Sequence, residues 1–224
     1  MGQKVNPVSF RIGQTENYRS RWFASGKTFS EWLLEDCKVR EYFKKNFGKG
    51  LIEKVEIERE KDSLKVYIFT ASAGILIGKK GATIEKIKED LEGLTKKKVN
   101  VNVKQVEKVE LSAQLVAEAI ALELEKRASH RRVMHKAIDT AMAAGARGIK
   151  VRVGGRIGGI EIARAETLQA GKLPLGTLNA IVDYGFAEAD IAKGKVSVKT
   201  WIFKGYKDEQ KITAQQEQRN VPQL

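Results

Sequence analysis

Two clusters in the chain have residue types and spacing that suit contact with a polyanion. The first is Gly78-Lys79-Lys80-Gly81, which follows the apolar run Gly74-Ile75-Leu76-Ile77 and runs straight into helical spacing at Ile84, Ile87 and Leu91. Gly78 and Gly81 lack a Cβ, so another backbone can approach closely there. A helix that starts at this turn offers unpaired N–H groups and a positive dipole end to an anion, and Lys79 and Lys80 add two point charges suited to phosphate. The second cluster is Arg131, Arg132, His135 and Lys136, spaced to share one side of a helix. Its arginines can pair with phosphates bidentately and stack on bases.

Other chemistry finds little support. A Walker loop ending in Gly78-Lys79 needs glycine where Ala73 stands and Ser or Thr where Lys80 stands. His130 and His135, the only histidines, lie in one basic segment with no ligand partners at metal spacing. Cys37 is the only cysteine and falls inside a helical pattern, which reads as a packed thiol. Glu161 and Glu166 stand apart from any acid–base partner, so no catalytic set, metal or cofactor is expected.

Several elements must position these clusters. A helix is expected from about Thr28 to Phe47, with Thr28 or Ser30 as its cap and Phe29, Leu33, Val39, Tyr42 and Phe43 on its buried side. Alternating apolar residues predict strands at Leu51–Glu60 and Ser63–Thr70, joined by Lys61-Asp62. The glycine-lysine turn, its helix to Leu94 and a strand over Val99–Val106 complete an α-β-β-α-α-β order. That order, with its GxxG turn, resembles a KH domain of the bacterial arrangement, whose GxxG loop clamps a nucleic-acid backbone. Residues 28–107 are read as this domain and 108–206 as a second one. There, helices at Leu111–Arg127 and from the cap Ser129 to Gly145 pack on antiparallel strands at Gly148–Val153, Ile160–Ala165, Leu178–Phe186 and Lys195–Phe203. Met134, Ile138, Ala141 and Met142 are expected to face that sheet. The fold class is therefore α+β throughout.

Residues 1–27 carry Lys4, Arg11, Arg19 and Arg21 without any sustained period, and read as a basic arm that orders on a partner. The glutamine-rich residues 207–224 read as a disordered tail. The 224 residues include 41 Lys and Arg against 28 Asp and Glu, a net charge of +13 and a pI near 9.7. Such an excess gains binding energy by releasing counterions from phosphates. No stretch has the apolar length of a membrane span, and no signal peptide opens the chain.

Five motifs together carry a wider resemblance. Met1-Gly2-Gln3-Lys4-Val5-Asn6-Pro7, Ile77-Gly78-Lys79-Lys80-Gly81, Gly154-Gly155-Arg156, Glu161-Ile162-Ala163-Arg164 and Lys199-Thr200-Trp201-Ile202-Phe203-Lys204-Gly205 occur in this order. They resemble the bacterial-type family of the third small-subunit ribosomal protein, from Met1 to about Lys207. The resemblance implies a place in the head of the small subunit, bound to its ribosomal RNA. It also implies a wall of the channel by which messenger enters, lined by the basic face at Arg131 and Arg132. His135 stands where the family commonly has lysine or arginine. Implied neighbours are head proteins ten and fourteen and, at the channel, proteins four and five, in the cytoplasm or a plastid stroma. Lys4, Arg11, Arg19, Arg21, Arg156 and Arg164 are the further ribosomal RNA contacts expected on this reading. A free KH protein acting on transcripts is the alternative.

Overall fold

An Asn-Pro pair starts the first element. The Asn6 side chain accepts a hydrogen bond from the Val8 N–H at 2.9 Å, and Pro7, with no N–H to satisfy, takes the first turn of α1 (Pro7–Arg11). The computed structural model describes residues 3–60, 63–78 and 81–207. They form two compact units, one drawn from Met1–Asn17 and Glu110–Leu224, the other from Tyr18–Val109.

In the second of these, β1 (Ser20–Arg21), α2 (Lys27–Asn46), β2 (Ile52–Arg59) and β3 (Ser63–Thr70) are followed by α3 (Ala73–Ile77), α4 (Ala82–Thr95) and β4 (Lys98–Gln105). The sheet order is β1-β2-β3-β4, with β2 and β3 antiparallel and the outer pairs parallel. From α2 onward this is the expected α-β-β-α-α-β arrangement. Alternation puts Leu64, Val66 and Ile68 of β3 on one face, where they meet Val39 and Phe43 of α2, Leu76 of α3, and Ile87 and Leu91 of α4. Each such burial is worth about 1.5–3 kcal/mol.

The helix α2 departs from the expected stripe. Its cap is Gly26, and Phe29 and Leu33 are close to half exposed. Asp36 is the residue buried in this half of the helix. Its carboxylate accepts from Ser20 Oγ and Trp22 Nε1, each at 2.8 Å, and pairs with the Arg59 guanidinium. Phe29 packs on the Trp22 ring, 5.4 Å between centroids, instead of entering the core. A buried charge needs several partners at once, and meeting that demand fixed how the helix is rotated.

In the other unit, α5 (Ala113–Glu125) and α6 (His130–Ala143) pack on an antiparallel sheet of β5 (Gly148–Gly155), β6 (Arg164–Gly171), β7 (Ala180–Ile191) and β8 (Gly194–Tyr206), in the order β6-β5-β8-β7. Ile149, Val151 and Val153 of β5 and Val196, Val198 and Ile202 of β8 form the floor under Ile120 and Leu124 of α5 and Met134 and Ile138 of α6. Met142 is 37% exposed, whereas Val133, outside the expected stripe, is buried. The second strand begins at Arg164 and not at Ile160. Arg156 holds the preceding loop by donating from Nε to the Ile160 carbonyl (3.0 Å) and from Nη1 to the Lys193 carbonyl (3.2 Å), which keeps Ile160 out of the ladder.

The expected arm at residues 1–27 is divided between the units, with α1 folded in one and β1 paired to β2 in the other. At the far end, the Lys207 N–H donates to the Asn179 carbonyl at 3.1 Å. Met1-Gly2, the Lys61-Asp62 link and residues 208–224 of the expected tail lie outside the described residues.

Candidate nucleic-acid interface

The glycine turn is built by two helix ends. Gly78 closes α3 with φ +70°, its N–H donating to the Gly74 carbonyl at 3.0 Å, and Gly81 opens α4 with φ +85°. Only glycine holds both left-handed positions without strain. A Cβ on Gly78 would also collide with the Thr83 hydroxyl. No side chain caps α4, so its first N–H groups keep their capacity for an anion. Ile75 and Ile77, 61% and 40% exposed, put apolar surface beside that site. Glu85, in the first turn of α4, is the one negative group there. Lys79 and Lys80, the expected phosphate contacts, lie outside the described residues.

The second cluster stands on α6. The positions Met134, Ile138 and Ala141 are buried against the sheet, and this turns Arg131, Arg132, His135 and Lys136 outward, all exposed. Ser129 is the N-cap residue. Arg131, with its side chain 74% exposed, places Nε 3.3 Å from Glu166 Oε2 on β6. The same oxygen receives His130 Nε2 at 2.9 Å, and Arg164 approaches the other at 3.9 Å. Desolvation works to raise the Glu166 carboxyl, but hydrogen bonds and charge from His130 and Arg131 outweigh it and hold the group below the ordinary value of 4.5. Lys136 pairs with Glu123 at 2.8 Å, while Arg132 has no ion pair among the described residues.

Glu166 is thus an anchor. By taking Nε of Arg131, it leaves the two terminal nitrogens of the guanidinium fork for an outside acceptor. The turn after α5 adds Lys126 and Arg127, both exposed. Sequence reading missed these two, although they fall within the basic run from Lys126 to Arg132. It also set Glu166 aside as isolated, since its partners lie 35 and 36 residues away.

The remaining candidates fall apart into different roles. Arg11 is a correction: it is fully buried and donates from Nε to Ala180 O (2.8 Å), from Nη1 to Pro7 O (3.2 Å), and from Nη2 to the carbonyls of Pro174, Leu175 and Thr177 at 3.1, 2.9 and 3.0 Å. With no exposed surface, the side chain is out of reach of RNA. Arg21 spends its charge on Glu58 at 2.9 Å and Glu56 at 3.6 Å. Arg156 is bound to its own loop, as described above. Lys4, Arg19 and Arg164 remain exposed, and of these Arg164 alone adjoins the α6 cluster.

Among the described residues, no group of His, Cys, Asp and Glu is arranged to hold a metal, and no helix is long and apolar enough to cross a membrane.

Comparison with known proteins finds two families along the chain. The KH domain family matches residues 38–111, and the family described as Ribosomal protein S3, C-terminal domain, matches residues 120–202. The chain is 49% identical over 208 residues to small ribosomal subunit protein uS3 of Persephonella marina, covering 92% of each. It is 50% identical over 212 residues to the uS3 protein of a Sulfurihydrogenibium species, covering 94% of this chain and 93% of that one. For uS3 of Myxococcus xanthus the figures are 49% over 205 residues, 92% of this chain and 93% of the relative. Identity at this level along nearly the whole length, through a KH unit and the unit that follows it, means that the chain belongs to the uS3 family of small ribosomal subunit proteins, a family of ribosomal proteins and not of enzymes.

Proposed function

We propose that the chain is a structural constituent of the small ribosomal subunit that binds its ribosomal RNA and offers the outer face of α6 to messenger. The observation that carries the messenger reading is the arrangement of Arg131, Arg132, His135 and Lys136, held outward by a helix whose other side is sealed in the core. Phosphates entering this face compete with ion pairs to Glu166 and Glu123 that water and salt screen, so they exchange readily. Arg132 is unpaired among the described residues and is the first cation a strand meets without competition.

The chemistry is grip and not turnover. No nucleotide-binding motif accompanies the face, so the work of separating a messenger hairpin comes from ribosomal translocation, with the arginines holding the separated strands by charge. The α4 start between Gly78 and Thr83 offers a second backbone contact of the same kind, for ribosomal RNA. Head proteins ten and fourteen, and proteins four and five at the channel, are the neighbours this placement calls for. A free KH protein acting on transcripts is disfavoured by identity to ribosomal relatives across 92% of the chain.

The test is Arg131→Ala with Arg132→Ala in reconstituted small subunits. Assembly is expected to be intact, and translation to slow several-fold on messengers with a stable hairpin just downstream but not on unstructured ones. Equal rates on both templates contradict the messenger role.

A further inference from the structure

The sheet of the C-terminal unit has a second face. Its pleat sends Ile149, Val151, Val198, Ile202, Ala187 and Ala189 into the core beneath α5 and α6, so their neighbours along each strand point away from the helices. Cross-strand register assembles those outward residues into two rungs. One runs Gln169, Lys150, Trp201, Tyr184, and the next Thr167, Arg152, Lys199, Phe186. The first rung has one cation and one ring at its centre and the second has two cations; each ends in an aromatic ring at the β7 edge, and neither contains a carboxylate. At one end the face is closed by Leu173 and Leu175, packed with Val182 and Phe203. Trp201 of the first rung packs against this cluster, while at the second rung Arg152 is exposed and Phe186 is 41% exposed.

The cations here have no ion pairs among the described residues. Lys150 Nζ rests 5.7 Å from the Trp201 ring centre and Lys199 Nζ 5.9 Å from that of Phe186, while Tyr184 and Trp201 lie 5.5 Å apart. Desolvation, with the charges of Lys4 and Arg152, pushes the Lys150 ammonium below its ordinary value, so positive charge is crowded here without a counter-charge. This surface combines cations with ring faces on paired strands. A four-stranded sheet bearing aromatic residues is a known platform for unpaired RNA bases, and adjacent outward positions on a strand lie about 7 Å apart.

We propose that this open sheet face binds an unpaired segment of ribosomal RNA, with phosphates against Lys150, Arg152 and Lys199 and bases stacked on Phe186 and Tyr184. The proposal rests on the reading of the chain as a resident of the small subunit. It goes beyond that reading by naming a surface on the opposite side of the sheet from α6. The physics separates the two. A charged helix face holds a phosphate backbone while letting it slide, whereas stacked rings hold individual bases in place, which suits a resident RNA and not a moving messenger.

Binding is measured with the purified full-length protein, an unpaired oligoribonucleotide and a duplex of the same length. Phe186→Ala is expected to weaken the unpaired probe by about tenfold and leave the duplex unchanged, and Phe186→Tyr to restore it. Arg152→Ala with Lys199→Ala is expected to lower the salt slope by about 1.4. Arg131→Ala with Arg132→Ala serves as a separate arm. If only messenger handling by assembled subunits responds to it, as expected, then failure of the α6 reading and failure of this one are distinguishable. In reconstituted subunits carrying messenger, ultraviolet crosslinks from the peptide holding Tyr184 and Phe186 are expected on ribosomal RNA. Crosslinks only to messenger, or only to a neighbouring protein, overturn the proposal, as does wild-type affinity and salt slope in all sheet variants.

Discussion

Arg11 and Arg132 look alike in the sequence, each a cation in a basic stretch of an RNA-binding chain, yet one is fully buried and the other exposed. The difference lies in the backbone around them. Arg11 meets the irregular segment from Pro174 to Thr177, where carbonyls have no ladder partner, and its guanidinium satisfies four carbonyls there and at Ala180. Arg132 sits inside a regular helix whose carbonyls are satisfied within the helix, so nothing nearby consumes its donors. A cation becomes available to a ligand when the local backbone has no use for it.

This contrast can be broken most severely at Arg11. Replacing Arg11 with Ala is expected to lower the unfolding free energy of its unit by about 3 kcal/mol, because buried carbonyls are left unpaired. Arg132→Ala is expected to stay within about 0.5 kcal/mol of the parent. Urea unfolding of the full chain checks both, and equal losses contradict the distinction. A middle-sized effect is expected in the glycine turn. Gly78→Ala meets both a positive φ and the Thr83 hydroxyl and is expected to cost about 2 kcal/mol, whereas Gly81→Ala meets a positive φ in open space and is expected to cost about 1 kcal/mol. Thermal unfolding of the two variants gives the order, and a reversed order removes the steric argument.

The smallest effect concerns Glu166. Its folded value lies below the ordinary 4.5, so its contribution to stability is complete above that pH and fades as pH falls through the lower folded value. Nuclear magnetic resonance titration of the Glu166 carboxyl is expected to show this depressed midpoint. Arg131→Ala is expected to move it upward by removing one hydrogen bond and one charge. An unmoved midpoint means that Arg131 is not held by Glu166.

Much of the architecture was legible, because period-two and helical spacing are local signals. The strand pattern Leu64, Val66, Ile68 and the buried positions Met134, Ile138 and Ala141 followed from them directly. The outward face of α6 was legible for the same reason, since fixing the inner side of a helix fixes its outer side. Long-range polar pairing was not. Nothing near Asp36 in sequence shows that Arg59 and Trp22 converge on it, and nothing near Arg11 points to carbonyls beyond residue 170. The two rungs of cations and rings were half legible: alternation of Lys150 with Arg152 and of Lys199 with Trp201 is visible, but the register that joins them is tertiary.

The central claim is that α6 presents its arginines to messenger while Arg11 is internal. The most direct measurement places a photoreactive side chain at position 132, and separately at position 11, in small subunits carrying messenger. Messenger crosslinks are expected at 132 and none at 11. Messenger crosslinks at both positions, or none at 132, contradict the account.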